Sequence, residues 1–152
     1  MNDNRTTIIT IASALVLAVG LGVFVALGSS KEEAVSGDVV SQTGIHAHPR
    51  VTITIKGQPQ VIPAEVGAAA HKVHTHDASG EIHWELQGVV RQDDMKLGKL
   101  FEAWGQPFNS SSILSAKNGP EGSVKMNVNG TPNTEFENYQ IKDKDQIEIR
   151  FE

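Results

Sequence analysis

The sequence predicts an α+β fold: a small, mostly antiparallel sheet of hairpins with one amphipathic helix, preceded by one transmembrane helix. Three observations carry that expectation. Residues 7–28 hold no charge, a strict apolar/polar alternation begins at Ile45, and Leu97, Leu100, Phe101 and Trp104 recur at helical spacing. A chain of 152 residues has room for one domain and an appendage. The absence of cysteine removes disulfide frameworks, iron–sulfur clusters, thiol nucleophiles, cysteine-ligated zinc fingers and thiolate-bound copper. A formal charge of −5 argues against nucleic acid as a partner.

After a short leader (1–6), residues 7–28 read TIITIASALVLAVGLGVFVALG. As a helix rising about 1.5 Å per residue this run is roughly 33 Å long, enough to cross the hydrocarbon core of a bilayer. A cleaved secretory signal is the competing expectation, with Arg5 as its basic region, but its apolar core would be only ~7–15 residues. Arg5 on one flank and Lys31 on the other nearly cancel in the positive-inside rule. The short basic leader and the acidic bulk behind it favour a plasma-membrane, single-pass protein with its domain on the extracytoplasmic side. Residues 29–44 (SSKEEAVSGDVVSQTG) have the composition of a flexible linker, leaving 45–152 as the soluble domain.

Within that domain, alternation over 45–55 puts Ile45, Ala47, Pro49, Val51, Ile53 and Ile55 on one face. Pro49 has no N–H for a ladder, so the strand is an edge there or starts just after it. Lys56-Gly57-Gln58-Pro59 supplies a turn, with a return strand over 60–66. A second hairpin runs through Val73-His74-Thr75-His76, turns at 77–80, and leaves through 81–86. Its register sets His74 opposite His83 and gives Val73, Thr75, Ile82, Trp84 and Leu86 the core face. Asp93 and Asp94 begin the helix, and Gly105 followed by Pro107 ends it. Strands return at 124–128, an Asn129-Gly130 turn follows, and the last strand is 146–151 after the polar turn Lys142-Asp143-Lys144-Asp145. In element order this is loosely β-grasp-like, with the histidine hairpin as a departure.

All six histidines lie between His46 and His83. His46/His48 and His74/His76 are i, i+2 pairs, so each pair projects to one side of its strand. His83 faces His74 across the second hairpin, at a Cβ separation of about 5 Å that lets two imidazoles converge on one ion. Imidazole is the usual neutral ligand of Zn²⁺ and Cu²⁺. His46, His48, His74, His76 and His83 are therefore the candidate metal ligands; His71, just upstream, is the weakest member of the group. Asp77, Glu81 and Glu85 would add an oxygen ligand or orient the rings. The bland alternative is a solvated polar face, with Asp77 and Ser79 acting as turn residues. Without cysteine, nitrogen-rich ligation points to Cu²⁺ or Zn²⁺ as the cofactor.

Known enzyme patterns fail at identifiable positions. The H-x-H of His46-Ala47-His48 is shared with cupins, but their glutamate is missing from Pro49-Arg50-Val51-Thr52. His74-Thr75-His76-Asp77 resembles the metallo-β-lactamase H-x-H-x-D-H, with the aspartate one position early and no histidine after it. No H-E-x-x-H, G-x-S-x-G or phosphate-binding glycine loop occurs.

The combined pattern His46-x-His48, Ile62-Pro63-Ala64-x-x-Gly67, His74-Thr75-His76-Asp77-x-Ser79-Gly80-x-Ile82-His83 and Leu97-Gly98-x-x-Phe101-x-x-Trp104-Gly105 spans most of residues 45–152. It resembles an uncharacterised family of membrane-anchored or secreted prokaryotic proteins with one small histidine-rich domain. The resemblance implies an extracytoplasmic location and no particular reaction. The function expected from the sequence is a membrane-anchored Cu²⁺- or Zn²⁺-binding protein acting in metal binding, delivery or as an accessory subunit. Its partners would be the lipid bilayer, through the N-terminal helix, and a membrane protein or complex. The alternatives are a small metallohydrolase with Glu81 or Glu85 as base, and a non-metal interaction module pairing through a strand edge.

Overall fold

Pro49 decides how the N-terminal half of the domain is laid out. The alternating run that starts at Ile45 is not one strand: it breaks at His48 and Pro49, and the two pieces join different sheets. In the computed structural model, which describes residues 38–68 and 72–152, the first piece is β2 (Gly44–Ala47) and the second β3 (Arg50–Ile55). Proline brings no N–H to a ladder, so continuous pairing ends there and the chain turns into a new sheet.

β2 is an outer strand of a three-stranded antiparallel sheet. β6 (His83–Gln87) is in the middle and β5 (Val73–His74) on the other side. β3 forms a hairpin with β4 (Gln58–Gln60) and enters a five-stranded sheet. That sheet has the order β12 (Thr131–Asn133), β11 (Val124–Val128), β13 (Gln146–Phe151), β3, β4. The pairing of β13 with β3 is parallel, from Gln146 beside Arg50 to Phe151 beside Ile55; the other pairs are antiparallel. Both hairpins turn on two residues with positive φ, Lys56-Gly57 (50° and 75°) and Asn129-Gly130 (52° and 80°). This is the twist of a type I′ turn, which matches that of the flanking strands. Proline sits in each edge strand, Pro59 in β4 and Pro132 in β12, removing a backbone donor from both edges.

Two smaller sheets complete the domain. β1 (Val39–Ser41) pairs with β7 (Val90–Arg91), and β8 (Phe108–Asn109), β9 (Ser112–Ile113) and β10 (Ala116–Lys117) form a short meander. The single α-helix among the described residues, α1 (Gly98–Trp104), has seven residues and follows a 3₁₀ turn at Gln92–Met95. Leu97, Leu100 and Phe101 of its apolar stripe are buried, and Trp104 packs partly buried against them. They share one core with Val51, Ile53, Val124, Met126, Ile147, Ile149 and Phe151 from the five-stranded sheet. Trp84, on β6, is fully buried in the same core, its indole N–H donating to the Asp94 carbonyl at 3.0 Å.

The α+β class expected from the sequence is therefore corrected to a mostly β one. Helical periodicity is confined to one seven-residue helix, stopped where Gly105 and Pro107 follow. The two-residue strands β7 to β10 are too short to carry a readable alternation, so the two small sheets they build are invisible to periodicity. The main sheet is mostly antiparallel, as expected, with one parallel pair, β3 and β13, inside it. The predicted leader (1–6) and transmembrane anchor (7–28) lie outside the described residues, as does the linker up to residue 37. Among the described residues no helix is long and apolar enough to cross a membrane. Val39–Ser41, within the stretch expected to be linker, forms β1.

One buried polar group and one close backbone approach hold this layout. Asp145 is buried and accepts from the Tyr139 hydroxyl, the Lys142 amide and the Asn129 side-chain amide, each at 2.8 Å. Gly80, at φ 84°, lies so close to β3 that a Cβ there would come 2.6 Å from the Val51 carbonyl oxygen. Gly80→Ala is expected to cost about 2–3 kcal/mol, from the left-handed backbone and the clash together. Gly57→Ala, equally left-handed but with open space around it, is expected to cost only about 1 kcal/mol. Urea denaturation of the two variants measures the difference.

Burial, reinforced by the Asp145 carboxylate, pushes the Tyr139 phenol above its ordinary value of 10. Above pH 10 the unfolded phenol ionises while the folded one keeps its proton, so this contribution to stability, complete below pH 10, is lost as pH rises further. Tyr139 is the chain's only tyrosine, so tyrosinate absorbance reads its ionisation directly. The folded protein should titrate above pH 10 and the urea-unfolded chain near it, and Tyr139→Phe should flatten the alkaline fall in stability.

Candidate metal centre

β6 is the middle strand of its sheet, so a residue on its outer face meets neighbours from both sides. Along β6 the burial alternates: Trp84 points into the core, while His83 and Glu85 face away from it. On β2, Ala47 pairs with Trp84 on the core face, and His46 pairs with Glu85 on the outer face. His74 of β5 stands directly opposite His83, the register expected from the sequence.

Thr75 sets the direction of the second histidine pair. It is buried, its hydroxyl donates to the Pro63 carbonyl at 2.8 Å and accepts from the Val66 amide at 3.1 Å, and its own amide donates to the Val66 carbonyl at 3.1 Å. With Thr75 committed to the interior, His74 and His76 on either side project the opposite way. His48 is held at the sheet-to-sheet corner, where its amide donates to Asp143 Oδ1 at 2.9 Å. Next to it the Pro49 carbonyl accepts from the Ile82 amide at 2.9 Å, keeping the corner against the segment that leads into His83.

The result is a cluster of five imidazoles. Ring centroids are 4.6 Å apart for His46 and His48, 4.8 Å for His48 and His83, and 4.3 Å for His76 and His83. His74 is 4.9 Å from His76 and stacks on His83 at 5.3 Å with an interplanar angle of 24°. Two groups bring three ligand nitrogens within 4.8 Å of one another: His46, His48 and His83, and His74, His76 and His83. Nitrogens around a tetrahedral ion at about 2.0–2.1 Å lie roughly 3.4 Å apart, so side-chain rotations of about an ångström would close either group. All five histidines named from the sequence are in the cluster. His71 lies outside the described residues.

The carboxylates sit around the rings. Glu85 Oε1 is 3.1 Å from His46 Nε2 and 3.7 Å from His83 Nδ1, within reach of both sides of the cluster. Glu81 lies 3.8 Å from His83 Nε2 and 3.7 Å from the Arg50 guanidinium. Asp77 is occupied otherwise: its Oδ1 accepts the Ser79 amide at 2.8 Å, and these Ser79 hydrogen bonds hold its carboxyl below the usual range. It is a turn residue. Asp143, which the sequence placed only in a polar turn, reaches the cluster from 95 positions away, 3.7 Å from His48 Nδ1. The His48 amide is the main reason its carboxyl titrates below the usual range. No local signal marks it, because the contact depends on the parallel pairing of β3 with β13.

His83 is prepared for a ligand's role. Burial first, then the neighbouring His76, His48 and His74, push its imidazole below the ordinary 6.5, so it is neutral at neutral pH. Its Nδ1 is buried and makes no hydrogen bond. A buried nitrogen left so is costly in an apo protein, and a metal ion would satisfy it. The wide depression of about 630 Å³ beside α1, lined by Lys96, Lys99, Glu102 and Glu137 among others, involves none of the histidines. The chain matches no protein-family model, no curated protein and no solved structure.

The shift at His83 has a sign that can be checked. Between 6.5 and its lower folded value the unfolded chain binds the extra proton, so the stability that neutral His83 confers above pH 6.5 is lost as pH falls through that window. Nitrogen-detected NMR of the metal-free protein should find the His83 ring titrating below 6.5, and His83→Gln should remove that part of the acid-side loss.

Proposed function

We propose that this chain is a membrane-anchored, extracytoplasmic protein that binds a divalent transition metal, Cu²⁺ or Zn²⁺, through His46, His48, His74, His76 and His83, for metal binding, delivery or as an accessory subunit. One observation carries the metal-binding part: four imidazoles from the flanking strands and their ends gather with His83, whose buried Nδ1 makes no hydrogen bond. Rings on an ordinary solvated face would have no reason to leave that nitrogen without a hydrogen bond. Nitrogen ligation with nearby carboxylates suits Cu²⁺ or Zn²⁺. The anchor and the side of the membrane rest on the uncharged run 7–28, the acidic domain behind it and the resemblance to membrane-anchored or secreted histidine-rich proteins. A tethered domain of this kind stays close to a partner in the same membrane.

The hydrolase alternative is less well supported. Glu81 is engaged with Arg50 and Glu85 with His46, which leaves neither poised as a base toward open space. An interaction module adding a strand to the five-stranded sheet meets proline on both edges.

The purified full chain, stripped of metal and titrated with Cu²⁺ and Zn²⁺, tests the proposal. Stoichiometric binding tighter than about 1 μM is expected, weakened at least tenfold or so in His83→Ala. Weak binding, or binding indifferent to His83, would leave the histidines as a polar face.

A further inference from the structure

We infer that the five histidines form two overlapping positions for a single metal ion, an outer one at His46, His48 and His83 and an inner one at His74, His76 and His83, between which the ion passes with His83 as common ligand. This rests on the metal-binding reading above and specifies how the site works.

The geometry divides the cluster. Among the described residues the histidines form two three-nitrogen groups, and neither group draws on the other's pair. The strand order explains why: β6 stands between β2 and β5, so His83 touches both flanking pairs. One ion gathering four or five imidazoles would have to pull the pairs together across the middle strand. A neutral imidazole has one lone pair, so His83 serves one ion at a time; a second would have to displace its remaining proton. The positions are therefore alternatives.

They also differ in access. The outer group contains exposed His46, its side chain 61% exposed, and half-exposed His48. The inner group contains exposed His76 and buried His74, the latter at 6%. The outer position, which has no buried ring, is the readier entry for an ion from solvent. Once on His83, it exchanges His46 and His48 for His74 and His76 without ever being released. Around a buried ligand, water competes less for the ion, so the inner position holds and the outer one accepts and returns. For a protein that delivers its metal, that is a path in both directions through one shared ligand.

The test uses Cu²⁺ with the full chain and two paired variants, His46→Ala/His48→Ala and His74→Ala/His76→Ala. Because His74 is buried, His76→Ala alone serves as a second inner-position variant that leaves the interior untouched. The wild type should take up one Cu²⁺ per chain, and each variant should still take up one. The wild-type electron paramagnetic resonance spectrum should be a weighted sum of the two paired variants' spectra. Loss of the inner pair, or of His76 alone, should weaken affinity; loss of the outer pair should slow uptake and release while leaving the inner spectrum intact. Two ions per wild-type chain would overturn the inference. So would a wild-type spectrum with four or more nitrogen ligands, or a paired variant that behaves as the wild type in every readout. If the wild type binds no copper or zinc, the metal reading itself falls, an outcome distinct from these.

Discussion

The corner at His48 and Pro49 is the constraint on which the rest of the domain depends. There the chain leaves the three-stranded sheet and enters the five-stranded one, and four backbone-directed hydrogen bonds hold the change of direction. The Pro49 carbonyl accepts from Ile82, the Val51 amide donates to Gly80, the Arg50 amide donates to Asp145, and the His48 amide donates to the Asp143 carboxylate. Two come from the segment that leads into β6 and two from the loop before β13. One corner thus fixes the distance between the sheets, the start of the central parallel pair and the placing of His48 against His83. Hydrogen bonds of this kind are worth only about 1 kcal/mol each. Their effect here is geometric: losing one frees two sheets and one ligand together.

The same economy of position appears at Asp145 and Thr75. Asp145 binds Tyr139, Asn129 and Lys142 into a fixed loop, and that loop carries Asp143 to the corner. Thr75 commits its hydroxyl and its amide to the stretch around Pro63 and Val66, and thereby turns His74 and His76 toward the other histidines. In each case a buried polar group far from any ligand decides where a ligand points.

Much of the site was legible because strands alternate. His74 opposite His83, the outward pairs His46/His48 and His74/His76, and the inward Trp84 all follow from period-two spacing across a short connection. The strands at 124–128 and 146–151, and the tight turn at Asn129-Gly130, were equally readable. What escaped depends on distance along the chain. The parallel pairing of β3 with β13 joins residues nearly two thirds of the chain apart, and nothing in the alternation of either strand says which other strand it will meet. Asp143 enters the cluster only through that pairing. The alternation from Ile45 misled in one respect, since it runs unbroken across a change of sheet that only the missing N–H of Pro49 betrays. The fold class was misjudged because pairs of two-residue strands carry no period, while a helix of seven residues shows its stripe plainly.

Prolines 59 and 132 have a consequence for how such domains live side by side. At high local concentration, open sheet edges meet repeatedly and can pair from one copy to the next. A five-stranded sheet whose outermost strands each lack a donor is poorly suited to recruiting the next copy. Copies of the domain can be crowded together without this sheet seeding a fibre. Its largest sheet therefore ends within the molecule, and the exposed imidazoles remain the chemically distinctive face that it offers to its surroundings.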